Sequence, residues 1–498
     1  MIKRKRKLEN DPANGNKTER LDYFSEHFSK IIDPICKERI SNSANTFMPS
    51  IATINLQVLY CLHSLHHIIS TRNLVISNNL YLRELREKGN LKEESIENAR
   101  DQGFARPKVL ILCPMRKDAL SLVNLFRTLI FGNSDRPFIS NFHRFQKEFG
   151  GSDCGISEKR NVDIEFKQLM SGNIDDCFRI GIGFAKKCLK LYTSFADSDI
   201  IIASPLGLRM VIADAQSEIT IEKDFLASIE ILIIDKAEIL LMQNWEHVLF
   251  VTDNLHCQPK EITTDISRVR HWSISQDAKL YRQTVLLSSF SLAEFKAFFK
   301  CKCFNFAGLV SLFSSSNGYL DQVETMVYQE LQRIAVDLSV NQSDIRFQHF
   351  KDKVLRKCET GTAIFIPSYF DFVRIRNFLK NENESFVQLC EYSKPGKIAK
   401  ARDLFFKRER KLVLITERFH FFKRYHIKGI KSVIFYQPPA FPKFYHEIIN
   451  MAISDGNYII SRMLYTKFDA IRIINIFGKR YYREIAKSVK DVHILLSE

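Results

Sequence analysis

Two acidic residues follow an apolar run in a pattern that could support nucleotide chemistry. Residues 229–235 read "IEILIID", and Glu238 lies three positions after Asp235. An aspartate at the end of such a strand can hold Mg²⁺ through its water shell, and an acid directly after it can polarise an attacking water. Here that second position is Lys236, a cation. We therefore interpret this as a degenerate carboxylate motif (motif II), whose acids end a strand and begin a helix with a stabilising dipole.

The parts that would bind a triphosphate are missing from the sequence. A loop of the form G-x-x-x-x-G-K-[ST] would precede the first strand, yet no glycine lies between Gly15 and Gly89. Arginines that stabilise a transferred phosphoryl group would come from the second half, yet none lies between Arg424 and Arg462. The 11 cysteines include no C-x-x-C pair. The sequence therefore predicts no catalytic residue, no cofactor and no metal site.

Two segments nevertheless have residues suited to a nucleic-acid backbone. In "CPMRKDAL", residues 113–120, Arg116 supplies a charge after a proline. In "ASPLGLRMVI", residues 203–212, Ser204, Gly207 and Arg209 supply a hydroxyl, an accessible backbone and a charge. Both segments resemble those with which helicases of superfamily two grip RNA. We predict that these four residues contact RNA.

Composition restricts the class of partner. The chain has 498 residues and a formal net charge of +16. Such a charge favours phosphate-rich partners, so nucleic acid is the first expectation and an anionic membrane surface the weaker one. No apolar run approaches the roughly 20 residues that span a bilayer, and we expect a soluble protein. A chain of this length should form two or three domains.

Continuous apolar runs alternate with helical patterns along most of the chain. The runs at 107–114, 198–205, 229–235 and 282–289 form a first series, and those at 362–368, 386–390, 411–416, 432–439 and 492–497 form a second. Continuous runs are typical of parallel strands covered on both faces. The sequence predicts an α/β protein with two tandem RecA-like, doubly wound domains. We place the first at 46–314, a linker at 315–325 and the second at 326–498.

The N-terminal residues 1–45 are predicted to be a basic, largely disordered arm. Five cations follow one another without a break: Lys3, Arg4, Lys5, Arg6 and Lys7. Such a run is typical of a nuclear localisation signal, and it is also compatible with a tail that touches RNA.

An insertion at 242–282 contains both tryptophans of the chain. Trp245 and Trp272 can pack the insertion onto the first domain or can anchor a partner, because tryptophans dominate many interfaces. Arg268 and Arg270, close to Trp272, are candidate contacts to RNA or protein. The sequence leaves these two roles open.

The most basic stretch, residues 394–431, mixes cations with aromatic residues. This mixture suits RNA phosphates and stacked bases, although the phenylalanines can equally belong to a core. The predicted RNA contacts in it are Lys407, Arg408, Arg410, Lys411, Arg418, Lys423 and Arg424.

Several long stretches resemble one family, the digestive organ expansion factor or U3 small nucleolar RNA-associated protein 25 family. They include "LHSLHHIISTRNLVISNN" (62–79), "RDQGFARPKVLILCPMR" (100–116), "FLASIEILIIDKAEILLMQNWEH" (225–247) and "DISRVRHWSI" (265–274). The resemblance extends from about residue 50 to the end. Members of the family commonly carry a long acidic N-terminal region, whereas this chain begins with a short basic one.

The resemblance implies a component of the small-subunit processome in the nucleus and nucleolus. We expect a non-catalytic, helicase-like scaffold that serves early pre-rRNA processing and 40S subunit biogenesis. Its expected partners are pre-rRNA, the U3 snoRNA particle and processome proteins, with no membrane and no small-molecule substrate. The alternatives are an active ATP-dependent RNA helicase with a divergent nucleotide site and a hub that binds only proteins.

Overall fold

The structure is a computed structural model that describes residues 56–132, 137–151, 163–185, 188–214, 223–262, 264–312, 317–452 and 459–497. The described residues form two compact units. The first takes those within 1–154, 172–235 and 250–285, and the second those within 155–171, 236–249 and 286–498. The predicted domain boundaries stay a prediction.

The first half of the chain builds a seven-stranded sheet. Its strands are β1 (Val109–Leu112), β2 (Ile139–Ser140), β3 (Arg179–Ala185), β4 (Cys188–Leu191), β5 (Ile200–Ala203), β6 (Ile231–Ile234) and β7 (Gln283–Leu286). Their order in the sheet is β2-β4-β3-β5-β1-β6-β7. The central strand β1 pairs in parallel with β5 and β6, whereas β3 is antiparallel to both β4 and β5. All residues of β1, β5 and β6 are buried, which explains their uninterrupted apolar sequences.

The first half of the chain also contains ten of the helices described, which belong partly to the first unit and partly to the second. They are α1 (Leu56–Glu87), α2 (Glu93–Glu97), α3 (Arg116–Phe131), α4 (Phe142–Gly150), α5 (Ile164–Leu169), α6 (Pro205–Asp214), α7 (Ala237–Asp253), α8 (His271–Ile274), α9 (Ala278–Tyr281) and α10 (Ala293–Lys302). The buried residues of the long helix α1 lie in its N-terminal half and include Tyr60, Leu62 and Leu65.

The second half builds another seven-stranded sheet. Its strands are β8 (Val327–Arg333), β9 (Thr362–Ile366), β10 (Phe386–Leu389), β11 (Leu412–Thr416), β12 (Ser432–Phe435), β13 (Ile459–Tyr465) and β14 (Val492–Ser497). Their order is β10-β11-β9-β12-β13-β8-β14. The pairs from β10 to β8 are parallel, and β14 runs antiparallel to β8.

Helices cover both faces of this second sheet. They are α11 (Gln342–His349), α12 (Tyr369–Asn381), α13 (Pro395–Phe406), α14 (Glu417–Lys423), α15 (Lys443–Ile449) and α16 (Ala470–Lys487). On one face, Phe372 of α12 belongs to the same core as Ile364 and Ile434. On the other face, Tyr445 of α15 packs against the rings of Phe435 and Phe477. Two parallel-dominated sheets with helices confirm the predicted α/β fold class.

Local sequence explains where several of these helices begin. The hydroxyl of Ser368 accepts a hydrogen bond from the backbone N–H of Asp371 at 3.3 Å, and that of Thr416 accepts one from Phe419 at 3.2 Å. Each hydroxyl satisfies an otherwise unpaired donor in the first turn. Because Thr416 ends β11 and Ser368 lies two residues after β9, the caps start α12 and α14 at the carboxyl edge of the sheet.

Candidate functional site

The carboxylate of Asp235 is engaged within the first unit. Asp235 lies directly after β6 and is only 4% exposed. Its Oδ2 accepts hydrogen bonds from Gln57 Nε2 at 2.8 Å and from Tyr60 Oη at 3.1 Å, both in the first turns of α1. Burial and then the negative charge of Asp235 raise the pKa of Tyr60 well above its ordinary value, so the hydroxyl keeps the proton that it donates. Two neutral donors thus occupy one oxygen of the carboxylate.

Lys236 and Glu238 begin the next helix. Lys236 has φ +53°, a left-handed conformation that non-glycine residues adopt rarely, and its carbonyl accepts the first hydrogen bond of α7, from Ile239. Glu238 is buried in the first turn of α7 and accepts a hydrogen bond from Ser289 Oγ at 2.7 Å. A carboxylate in this turn interacts favourably with the helix dipole. These contacts give Glu238 a structural role without a bound nucleotide.

The candidate RNA contact Arg116 is surrounded by internal partners. Its guanidinium donates to Asp175 at 2.8 Å, to Glu148 at 3.1 Å and to the carbonyl of Cys177 at 3.0 Å. The same group lies 5.2 Å from the ring centre of Phe149. Arg116 thereby joins the start of α3 to α4 and to the segment before β3.

Ser204 and Gly207 also serve the packing of the first sheet. Ser204 is buried, and its hydroxyl accepts the backbone N–H of Gly207 at 3.0 Å. A Cβ at Gly207 would lie 2.3 Å from the carbonyl oxygen of Phe178, so only glycine permits this approach of α6 to β3. Arg209 is half-buried, with its guanidinium 4.9 Å from the ring centre of Phe250.

The insertion is fastened to the first unit by arginines. Arg268 is buried and donates to both oxygens of Asp101, at 2.8 and 2.7 Å, and to the carbonyl of Ala99 at 2.8 Å. Arg270 donates to Glu230 at 2.5 Å. Between them, Val269 forms a parallel bridge with Gln102. This segment is therefore a clamp on the chain before β1.

The two tryptophans of the insertion are both half-buried, but they lie in different units. Trp245 packs in the second unit against Phe295 and Phe298 of α10, with ring centres 5.3 and 5.7 Å apart. Trp272 lies in the first unit, 3.9 Å from Tyr281, with the guanidinium of Arg270 5.1 Å from its ring. Each tryptophan thus packs within its own unit.

One buried ionic cluster was not predicted from the sequence. Glu230, directly before β6, contacts Lys108 at 3.2 Å and His67 at 2.8 Å in addition to Arg270. Burial opposes it, but the charge of Lys108, the hydrogen bond with His67 and the charge of Arg270 hold the pKa of Glu230 below its ordinary value. Burial lowers the pKa of Lys108. In the sequence, a charged residue directly precedes each of the buried strands β1 and β6. This pattern could have identified Lys108 and Glu230 as a pair.

The basic stretch of residues 394–431 is divided between opposite edges of the second sheet. Lys407, Arg408, Arg410 and Lys411 precede β11 and lie at its amino end, whereas Arg418, Lys423 and Arg424 follow β11 at its carboxyl end. Because all neighbours of β11 are parallel to it, these ends belong to the amino and carboxyl edges of the sheet. The seven predicted contacts therefore do not form one surface.

At the amino edge, several of these cations have partners. Lys407 pairs with Asp403 at 2.8 Å, and Lys411 lies 3.9 Å from Glu384. Arg408 donates to the carbonyl of Gly429 at 2.5 Å. Arg410 is exposed. Phe405 at this edge is buried and cannot stack on a base, whereas its neighbour Phe406 is 54% exposed.

At the carboxyl edge, α14 holds a buried ionic group. His420 hydrogen-bonds Glu447 at 2.7 Å, and Arg424 donates to the same carboxylate. Arg418 lies 3.7 Å from Glu391, and Lys423 is exposed. The helix itself contributes the buried residues Phe419 and Phe421.

Glu417, the first residue of α14, was not singled out from the sequence. It is buried, and it accepts backbone hydrogen bonds from Phe441 at 2.9 Å and Ala440 at 3.2 Å. Burial raises the pKa of Glu417 to about 7. Its carboxyl group therefore titrates near neutral pH.

Three further sequence-based expectations concern the N-terminal cations, metal sites and membrane-spanning helices. Lys3, Arg4, Lys5, Arg6 and Lys7 lie outside the described residues. Within the described part of the chain, no group of three or more His, Cys, Asp or Glu residues is arranged to hold a metal ion. None of the helices described is both long enough and apolar enough to cross a membrane.

Comparisons with known proteins cover almost the whole chain. The family model "UTP25, NTP hydrolase-like domain" matches residues 45–310, and "Utp25, C-terminal domain" matches residues 319–495. The U3 small nucleolar RNA-associated protein 25 homolog of Xenopus tropicalis is 40% identical over 452 residues, covering 88% of this chain and 58% of that protein. The Schizosaccharomyces pombe protein of the same name is 39% identical over 447 residues, covering 87% and 66%. This chain thus spans less than two thirds of the length of these relatives.

Among solved structures, the chain is similar to DEAD-box proteins. The yeast splicing factor Prp28 is 13% identical with a TM-score of 0.26, covering 78% of this chain and 72% of that one. Dbp5 of S. cerevisiae, bound to RNA and ADP BeF3, is 14% identical with a TM-score of 0.26, covering 80% and 85%. At such scores the fold assignment rests on the two sheets and on the NTP hydrolase-like family model.

Proposed function

The chain belongs to the U3 small nucleolar RNA-associated protein 25 (UTP25) family, and from this premise we propose that it is a non-catalytic, helicase-shaped scaffold of the small-subunit processome. The names of the relatives support association with the U3 snoRNA particle. In this proposal the protein acts in the nucleolus, in early pre-rRNA processing and 40S subunit biogenesis. It binds pre-rRNA and processome proteins.

The engagement of Asp235 is the observation that supports a non-catalytic role most directly. A carboxylate that holds magnesium must present its oxygens to the water shell of the ion. Here one oxygen of Asp235 is held by Gln57 and Tyr60, and the residue is buried. The sequence adds the absence of a G-x-x-x-x-G-K-[ST] loop anywhere in the chain. The motif is thus used to attach α1 to the first sheet.

A comparison of ATP hydrolysis with stability tests this role. For the purified chain with ribosomal RNA we expect no RNA-stimulated ATP hydrolysis. Tyr60→Phe removes one donor to a buried carboxylate and should lower the free energy of unfolding by about 1–3 kcal/mol in urea. Tyr81→Phe, on the exposed part of the same helix, is the matched control and should change nothing measurable.

The alternative, an active RNA helicase, makes the opposite prediction. Hydrolysis of ATP that rises with RNA and disappears in Asp235→Asn would overturn the scaffold proposal. Recovery of U3 snoRNA with the tagged chain, from cells of its source, tests the processome assignment separately. If a folded chain that does not hydrolyse ATP fails to recover U3 snoRNA, this result would contradict the processome role alone.

A further inference from the structure

One corner of the second sheet exposes a row of apolar side chains. Ile460 of β13 lies opposite Tyr328 of β8, which lies opposite Leu496 of β14, so the three share one face. Ile494 lies two residues before Leu496 and points to the same side. The exposed fractions are 38% for Ile460, 50% for Ile494 and 61% for Leu496. We call Tyr328, Ile460, Ile494 and Leu496 the open corner.

The open corner contrasts with the rest of this face. Towards the centre of the sheet, Ile364, Ile434 and Leu464 are completely or almost completely buried beneath the core that contains Phe350 and Phe372. Sheets of this kind are normally covered on both faces. The exposure of the corner shows that no helix among the described residues covers it. Its apolar side chains therefore gain from contact with another molecule.

The corner ends at an unpaired strand edge. β14 is the outermost of the described strands in the sheet and pairs with β8 along one side only. Its other side presents backbone N–H and C=O groups that can accept an additional strand. Alternate apolar side chains on such an edge are the features that an extended peptide recognises when it adds to a sheet.

Beside the corner lies a charged segment in which cations outnumber acids. Arg462, beside Ile460 on the same face, pairs with Glu330 at 2.8 Å. Although burial opposes it, hydrogen bonds from Gln332 and Arg462 and the charge of Lys357 hold the pKa of Glu330 below its ordinary value. The neighbouring segment, residues 351–357 after α11, contains one acid, Asp352, and four cations: Lys351, Lys353, Arg356 and Lys357. All of these except the half-buried Lys351 are exposed.

A further cation lies at the amino end of the adjacent strand. Lys431 is exposed and directly precedes Ser432, the residue of β12 that pairs with Ile460. The corner is thus an aliphatic shelf with a positive rim, on a chain whose net charge is +16.

We propose that the open corner binds an acidic, extended segment of another protein, which adds to β14 as an eighth strand of the sheet. The aliphatic shelf accepts alternate apolar side chains of that segment, and the rim attracts its carboxylates. The inference rests on the proposed scaffold role, because it gives the chemistry of one partner of that scaffold.

Two other occupants fit the corner less well. RNA bases stack on aromatic rings and on guanidinium planes, whereas three of the four residues of the corner are aliphatic. A second copy of the chain would bring the same cations together, and like charges at an interface are repulsive.

A site-specific cross-link tests the proposal in the assembled particle. The full chain is produced in cells of its source with the photoreactive residue p-benzoylphenylalanine in place of Leu496, and in a control chain in place of Phe370, an exposed residue of α12. We expect a cross-link from position 496 to a segment of another protein with a net negative charge. Adding Ile494→Asp should reduce its yield about tenfold, because it places a carboxylate against an acidic partner. Ile494 is exposed, so this change should leave the unfolding transition in place.

Peptide binding then tests the added strand. A synthetic peptide of the cross-linked segment should slow hydrogen exchange of the amides in residues 492–496, and the same peptide with proline at alternate positions should not.

Cross-links to RNA, to a basic segment or to a second copy would overturn the proposal, as would a yield equal to that from position 370. Recovery of U3 snoRNA from the same extract separates the two proposals. Recovery without the cross-link contradicts only this inference, and the cross-link without U3 contradicts only the processome assignment.

Discussion

At the carboxyl end of β6, the same residue types that could serve nucleotide hydrolysis hold the fold together. Asp235 accepts hydrogen bonds from Gln57 and Tyr60, and Glu238 accepts one from Ser289. A buried carboxylate is costly unless donors surround it, so these contacts are needed wherever the acids are kept. Buried acids are therefore weak evidence for catalysis in this chain. Their partners decide their role.

Glu417 gives a prediction for pH dependence at this scale. Its pKa is raised from 4.5 to about 7 by burial, so the folded state binds a proton that the unfolded state releases. The contribution of Glu417 to stability should therefore fall as the pH rises from about 4.5 to 7 and stay low above that range. Glu417→Gln removes this cost. The free energy of unfolding of the variant, relative to that of the unmodified chain, should therefore be higher at pH 8 than at pH 5, by up to about 3 kcal/mol.

Urea unfolding of both chains between pH 5 and 8 measures this difference. Glu359→Gln, at an exposed position in the same unit, is the matched control. A difference between Glu417→Gln and the unmodified chain that stays constant with pH would contradict the prediction.

At the scale of elements, the position of each helix depends on a few close approaches. α6 reaches β3 because Gly207 has no side chain, and α1 reaches β6 through its first two turns. The clamp of Arg268 on Asp101 places the insertion against the chain before β1.

Gly207→Ala tests the first of these approaches. Its Cβ would lie 2.3 Å from the carbonyl oxygen of Phe178, and backbone atoms on both sides resist movement. Such crowding should lower the free energy of unfolding by about 1–3 kcal/mol. In the matched control Gly396→Ala, in the first turn of α13, no atom lies within 4 Å of the new Cβ. There alanine should be neutral or stabilise by up to about 1 kcal/mol, so equal effects in thermal or urea unfolding would refute the argument.

At the scale of the whole molecule, the charge of +16 is distributed over surfaces with different partners. Ligands of open α/β sheets bind outside the carboxyl ends of the strands. That edge of the second sheet carries Lys423, whereas Arg410 lies at the amino edge, the edge at which Ile460 and Tyr328 of the open corner also lie. We propose that RNA uses the carboxyl edge and an acidic protein segment the amino edge.

The salt dependence of RNA binding distinguishes these edges. Each lost phosphate contact should reduce the slope of log affinity against log salt by about 0.7–1. We expect this reduction for Lys423→Gln and none for Arg410→Gln, which serves as the control at the opposite edge. Equal reductions would contradict the assignment of edges. A flat salt dependence of the unmodified chain would favour a hub that binds only proteins.

The sequence by itself determined the parallel strands and the degenerate motif. The apolar runs at 362–368 and 411–416 each contain an observed parallel strand, because a strand buried on both faces needs no polar residues. The run at 492–497 also contains a strand, but β14 is antiparallel to β8 and its apolar side chains Ile494 and Leu496 are exposed. The search for apolar runs missed β8 and β13. Their sequences, "VYQELQR" and "IISRMLY", contain polar residues, and one face of these strands is partly exposed to solvent. An exposed face weakens the signal that marks a buried strand.

Only the tertiary structure decided how the candidate residues are used. Gln57 and Tyr60 lie 178 and 175 positions from Asp235, so nothing in the local pattern could identify them as its donors. The basic stretch around β11 looks continuous in sequence, but a strand places its two ends at opposite edges of a sheet. The open corner, too, depends on the pairing of β14 with β8. Residue types set which contacts are chemically possible, and the pairing of distant segments selects which of them are made.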